Sequence, residues 1–386
     1  MRHVYLDHTA TTPLDPLVLE AMEPFFHETF GNASSIHRFG RESRAALDES
    51  RDTLARFLGA RASELFFLSG GTEADNAALK GAMWELKKSG KNHIVTDVTE
   101  HHAVLETCAY LEGEGFEVTY VPCNSSGMIS PDDVRAAIKT TTGIVSVMHA
   151  NNETGTINPI KEIGEICREK GVLFHSDVVQ SFGKLPLNVS EIPVDMLSLS
   201  AHKIYGPKGI GAMYIRKGVK IERLMHGGGQ ERGRRAGTEN VAAAVGFARA
   251  AELMFESYRN ENARLLALKE EMRKMLAEKF PSLIFNGHAS KALSHILNVS
   301  FDSSKIAVDG EALLFNLDLA GIAVTSGSAC TSGSIEPSHV LLAMGRDAAA
   351  AKATIRFSMG RSTTREDLIY TVEKLEEVVG RIGKKF

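Results

Sequence analysis

Between residue 43 and about residue 215, helical and strand-like segments alternate, and the strand-like ones are short apolar runs that end in polar residues. A run that is apolar throughout, not on alternate positions only, suits a strand buried on both faces. Parallel neighbours need a crossover between them, and the intervening helices supply it. The pattern therefore predicts an α/β fold with a mostly parallel sheet between two layers of helices. In such sheets ligands meet the carboxyl ends of the strands, so the polar residues closing each run are the candidates for chemistry. After Val241 the texture changes to a long helical stretch, expected to break near residues 257–260, and then to shorter strands around 296–301, 322–325 and 354–358. A second, smaller α+β domain is expected there.

Taken in order, the strand ends carry complementary groups. Residues 64–79 read as a strand, a Gly70-Gly71 turn and a helix opening at Thr72 or Glu73. Backbone N–H groups at such a turn and the helix N-terminus suit an anion, with the Thr72 hydroxyl as a further donor; the plain alternative is Thr72 as an ordinary N-cap. The segment is neither a P-loop nor a dinucleotide fingerprint. The next run leads to the adjacent His101 and His102, which point apart and so make a poor metal pair. An imidazole over a flat ring, able to exchange protons, is the better reading of His101. The strand after Gly143 ends in Asn151 and Asn152, either of which suits a ring hydroxyl. The strand from Val172 ends in Asp177, with Gln180 beyond it, and a buried aspartate is what keeps a pyridine nitrogen protonated. The strand at 196–199 is followed by Ser200, His202 and Lys203 and then the Gly206-Pro207 turn. An amine there, its pKa lowered by burial and nearby cations, suits a Schiff base with a carbonyl cofactor. A phosphate cup, a stacking imidazole, an acid for a pyridine nitrogen and an imine-forming lysine are the parts that pyridoxal phosphate requires.

The other segments are plainer. Residues 5–13 read as a simple extended edge, and residues 30–37 as a polar turn holding Asn32 before a helix near Arg41. The loop 226–240 is rich in glycine and arginine and needs outside contacts to become ordered, with a partner subunit as their source. Cys330 lies in a Ser/Gly-rich loop where burial is difficult, which points to an accessible thiol that travels. Arg356 alternates with apolar neighbours; turned inward it offers a bidentate grip for a carboxylate, and turned outward it is an edge charge. A net charge of −4 gives no basic field for nucleic acid. There is no signal-peptide pattern at the start and no apolar run of the roughly 20 residues that a membrane helix needs. The four cysteines are scattered without a CxxC pair, so neither a zinc site nor a disulfide framework is expected, and a reducing cytoplasm is the default.

Together these motifs resemble the class V aminotransferase-fold cysteine desulfurases of the NifS/IscS group, over nearly the whole chain. The resemblance is most specific at Ser200-Ala-His-Lys203, at Gly227-Gly-Gly-Gln-Glu-Arg-Gly233 and at Ser326-Gly-Ser-Ala-Cys-Thr-Ser332, the last in the manner of the group I branch. It implies the pyridoxal phosphate fold type I, with a seven-stranded sheet in a large domain over 16–255 and a small domain from 1–15 and 256–386. It implies that Lys203 binds the coenzyme and moves the Cα proton of L-cysteine. Asp177 would pair with the pyridine nitrogen, Gln180 and Asn152 would sit near the ring hydroxyl, and His101 would stack on the ring. Gly71, Thr72, Ser200 and His202 would bind the phosphate, with Thr238 contributed across a homodimer. Asn32 and Arg356 would hold the substrate carboxylate, while Cys330 would take the sulfur as a persulfide and pass it to an IscU/NifU-like scaffold. Ala33, Val178 and His8 stand where the family usually has other residues, and none of these changes removes a reactive group.

Overall fold

The computed structural model describes residues 2–327 and 336–385. Its strands in chain order are β1 (Val4–Tyr5), β2 (Leu65–Leu68), β3 (His93–Asp97), β4 (Glu117–Val121), β5 (Thr142–Ser146), β6 (Leu173–Asp177), β7 (Met196–Ser200) and β8 (Gly211–Ile215). There follow β9 (Leu283–Asn286), β10 (Ile296–Phe301), β11 (Ile306–Ala307), β12 (Ile322–Ala323), β13 (Thr354–Ser358) and β14 (Lys384–Lys385). Seven of these form the main sheet in the order β2-β8-β7-β6-β5-β3-β4. All neighbours are parallel except β8, which runs antiparallel to both β2 and β7. Strands β2, β3, β5, β7 and β8 are buried at every position, the double-sided burial that their unbroken apolar runs require. This is the α/β architecture of the pyridoxal phosphate fold type I.

A second sheet, in the order β13-β10-β9, is antiparallel and has its own apolar cluster built on Leu297, Val299, Phe301, Ile355 and Phe357. The helix Val241–Lys279 belongs to both regions: Val241, Phe247, Ala251 and Met254 pack into the core of the main sheet, and Leu265, Met272 and Leu276 into that of the smaller one. It runs unbroken through residues 257–260, contrary to the expected interruption. Ser, Tyr, Arg and Asn cost a helix only a few tenths of a kcal/mol each. Ser257 spends its hydroxyl on the Leu253 carbonyl one turn back (2.8 Å), so nothing there competes with the helical backbone.

Two helix starts also differ from expectation. The helix Arg38–Leu58 begins three residues before Arg41, capped by His37 Nδ1, which accepts from the Gly40 N–H. The helix Gly71–Lys87 has Gly70 at its N-cap, so Thr72 lies inside the first turn and does no capping. No helix among the described residues is long and apolar enough to cross a membrane.

Candidate active site

The carboxyl ends of β3, β5, β6 and β7 open together onto a cavity of about 380 Å³. Its walls carry Gly71, Thr72, His101, Asn152, Asp177, Gln180, Ser200, His202, Lys203 and Arg356. Most of the residues singled out in the sequence are thus brought together. Three are not. Asn32 lies outside the cavity, its side-chain oxygen accepting from the Ser34 N–H (2.8 Å) in the turn. Thr238 lines a separate pocket with Ser69 and Arg235. Cys330 lies outside the described residues.

Lys203 follows β7 in a single helical turn. Its Nζ donates to the carbonyls of Thr9 (2.8 Å) and Ala10 (2.6 Å), so the arm at residues 5–13 is part of the site and not a plain edge. Desolvation, then the Arg356 guanidinium, lowers the Lys203 amine to about 8, against the opposing pull of Asp177 and Asp7. Asp177, at the end of β6, accepts from the Val179 N–H (2.8 Å). Burial lifts its carboxyl to about 6, while that N–H and the Lys203 cation act to lower it. At neutral pH the floor of the cavity therefore carries an anion facing an amine that is partly deprotonated.

His101 is not at a strand end. It stands four residues past β3 as the N-cap of the helix His102–Gly113, its Nδ1 accepting from the Ala103 N–H (3.1 Å). Its remaining face borders the cavity, and desolvation followed by the charge of Lys203 holds it down to about 4, a neutral ring at physiological pH. Of the two asparagines, Asn151 is fully buried and braces its own loop, accepting from the N–H groups of Glu153 and Thr154; Asn152 is the one that reaches the cavity. Arg356 points inward, bonded to Asp7 Oδ1 (2.9 Å) and to the Asn152 carbonyl (2.9 Å), with its Nε left unpartnered among the described residues.

Beneath the cavity lies a group of acids that the sequence did not announce. Asp75 and Glu100 are buried, and both have carboxyls raised well above the ordinary range, by burial first and then by neighbouring carboxylates. The rise at Glu100 is opposed only by a backbone bond from Met148, and Asp75 Oδ1 has no hydrogen-bond partner among the described residues. His175 stands 3.6 Å from Asp75 but is held neutral by burial and bonded to Ser146 and Ser198, so the contact is not an ion pair. Such acids carry no spacing pattern; only the packing of the helix Gly71–Lys87 against the sheet reveals them.

The loop 226–240 is likewise less solvated than its composition implies. Glu231 is buried and grips the equally buried Arg51 through two bonds (2.7 and 2.9 Å), while also accepting from the Phe67 N–H (2.9 Å). The chain pins this loop to its own β2 without needing a second subunit for that contact.

The donor set fits pyridoxal 5′-phosphate. A Cβ at position 71 would come within 2.7 Å of Val179 Cγ2, so glycine keeps the backbone there close to the sheet and open to a phosphate. Gln180 Oε1 is buried without a partner among the described residues, a polar atom open to a ligand. Asp177 and Lys203 are an acid and an amine of the kinds that such a ring requires.

The Aminotransferase class-V family model matches residues 4–370. The cysteine desulfurase IscS of Dictyoglomus turgidum is 49% identical over 381 residues, covering 99% of this chain and 95% of the relative. Among solved structures, a NifS-like protein superposes with a TM-score of 0.91 at 38% identity, covering 99% of this chain and all of the other. SspA in complex with cysteine superposes with a TM-score of 0.81, also at 38% identity, over 92% of this chain and 98% of the other. This chain belongs to the class-V aminotransferase family, on its cysteine desulfurase branch.

Proposed function

We propose that the chain is a pyridoxal phosphate-dependent cysteine desulfurase, removing sulfur from L-cysteine to give L-alanine and a persulfide on Cys330. The observation that carries the reading is the convergence of Lys203 and Asp177 on one cavity whose rim includes the helix start at Gly71 and Thr72. When bound, the coenzyme supplies an electron sink that makes loss of the Cα proton, and then of the Cβ–S bond, accessible.

The chain's own groups divide the remaining work. Lys203, an amine at about 8, holds the coenzyme and moves the Cα proton. Asp177 meets the pyridine nitrogen, and Gln180 and Asn152 flank the ring hydroxyl. Gly71, Thr72, Ser200 and His202 hold the phosphate, joined by Thr238 from the other copy in a homodimer. His101, kept neutral, stacks on the ring and accepts or returns protons. Arg356 exchanges its contact with Asp7 for the substrate carboxylate, a bidentate match. The Cys330 thiolate forms a new S–S bond as the substrate's Cβ–S bond breaks; the electron pair stays with carbon, which takes a proton to complete alanine. An IscU/NifU-like scaffold then receives the sulfur, in the cytoplasm. A large domain over 16–255 and a small one over 1–15 and 256–386 would divide within the helix Val241–Lys279, where its packing passes from one core to the other.

The test is mass spectrometry of the coenzyme-loaded protein after L-cysteine. One added sulfur on the Cys330 peptide, matched by alanine and lost in Cys330→Ser, is expected. Turnover that depends on a keto acid and survives Cys330→Ser would make the chain an aminotransferase instead.

A further inference from the structure

Behind Lys203 lies a second, smaller space. A cavity of about 20 Å³ is bounded by Lys203, Lys184, His8, His295, Tyr258 and Glu261, and Lys203 is the wall between it and the larger cavity. That volume accommodates one water molecule. Its polar groups come from distant parts of the chain, and two of them lack partners among the described residues. His8 Nδ1 gives its proton to the Ser358 carbonyl (3.1 Å), which leaves Nε2 as a lone-pair acceptor. That atom and His295 Nε2 are both buried with no partner among the described residues. Lys184 is only 9% exposed, and its charge is opposed by burial and by Lys203 with no acid to offset it. Glu261, the acid at this wall, is already held by Arg264 (2.8 and 3.0 Å). Room for the His8 ring depends on Gly360, since a Cβ there would lie 2.2 Å from Nε2.

Buried polar groups left open in this way, around a space of one water, mark a hydrated site. We propose that Lys184 is a second amine of the active site, a proton acceptor that exchanges with Lys203 through one buried water held by His8 Nε2 and His295 Nε2. The inference rests on the reading of Lys203 as the coenzyme-bearing amine. One proton moves: the Lys203 nitrogen gives it up, the water passes one on, and the Lys184 amine becomes an ammonium. Lys184 lies at about 7 and Lys203 at about 8, so the transfer is about tenfold uphill in the coenzyme-free chain. It eases once the Lys203 charge is gone, because that charge is one of the two causes depressing Lys184. Around the amine, His8 and His295 are held neutral, each by burial first, and Tyr205, Tyr258 and Glu261 complete the titratable wall.

The experiment is an NMR titration of the lysine side chains, labelled with carbon-13, in the coenzyme-free and the coenzyme-loaded protein. The Lys184 signal is assigned by its loss in Lys184→Met, or in Lys184→Arg should the first variant not fold. A Lys184 midpoint near 7, rising by about one unit in Lys203→Met, is expected. A midpoint in the ordinary lysine range near 10.4, or one that Lys203→Met leaves in place, overturns the proposal. A crystal structure of the loaded protein should place a water bonded to His8 Nε2 and Lys184 Nζ, and a dry chamber would also overturn it. Failure of the underlying reading looks different: borohydride would then leave Lys203 unlabelled whatever Lys184 does.

Discussion

The Arg51–Glu231 contact and the floor of the active-site cavity bury charge to a similar depth and treat it in opposite ways. At the first, every carboxylate oxygen is engaged and Arg51 Nε alone is left open among the described residues: Glu231 meets both terminal nitrogens of Arg51 and the Phe67 N–H, and Arg51 also reaches the Leu65 carbonyl. At the second, Asp75 Oδ1, Gln180 Oε1 and Arg356 Nε are left open among the described residues. A closed set of partners fixes a loop; an open set holds groups in readiness for a ligand at a cost in stability. The contrast separates structural burial of charge from functional burial.

The comparison breaks first at Lys203. Lys203→Ala is expected to lower alanine production from cysteine by about 10⁴-fold, while the thermal midpoint of the coenzyme-free protein stays put. Calorimetry beside an alanine assay checks both, and a large loss of stability would mean that Lys203 is structural. At the other pole, Glu231→Ala leaves Arg51 buried without its anion and should cost about 3–5 kcal/mol in denaturant unfolding, whereas replacing both partners by apolar residues should cost much less.

Two smaller effects sharpen the contrast. With its amine at about 8, Lys203 in the coenzyme-free protein should capture the aldehyde faster as pH rises, about tenfold per unit below 8 and little further above it. Stopped-flow absorbance measures this, and a profile still climbing at pH 10 would contradict the lowered value. Glu100 gives the smallest effect. Its folded-state pKa is raised, so its favourable contribution is full below the ordinary carboxylate value and is lost as pH rises through the folded value. Glu100→Gln, already uncharged, should therefore gain on the wild type as pH rises above the ordinary carboxylate range, in parallel denaturant titrations.

What could be read in the sequence was whatever lies close along the chain. Asp177 and Lys203 each close an apolar strand, and the parallel-sheet rule puts such ends on one edge, so the acid and the amine that meet at the cavity are legible in the sequence. Thr72 was placed at the right turn, though one position inside the helix and not at its cap. The unread parts are pairings between distant segments. Asp7 meets Arg356 across 349 positions, and Glu231 meets Arg51 across 180. Periodicity tells which face of an element is buried, not which remote element covers it, so an arm of mixed polarity and a glycine-rich loop both looked solvent-facing. The helix through residues 257–260 was misjudged for a related reason: four polar residues weaken a local pattern, but packing at Met254 and Leu265 on either side carries the helix across them.

The central claim is that the nitrogen of residue 203 carries the coenzyme. Borohydride reduction of the loaded protein, followed by peptide mapping, tests it directly. The account predicts a single reduced adduct on the Lys203 peptide; an adduct on Lys184 or elsewhere, or none in protein that visibly retains its coenzyme, would contradict it.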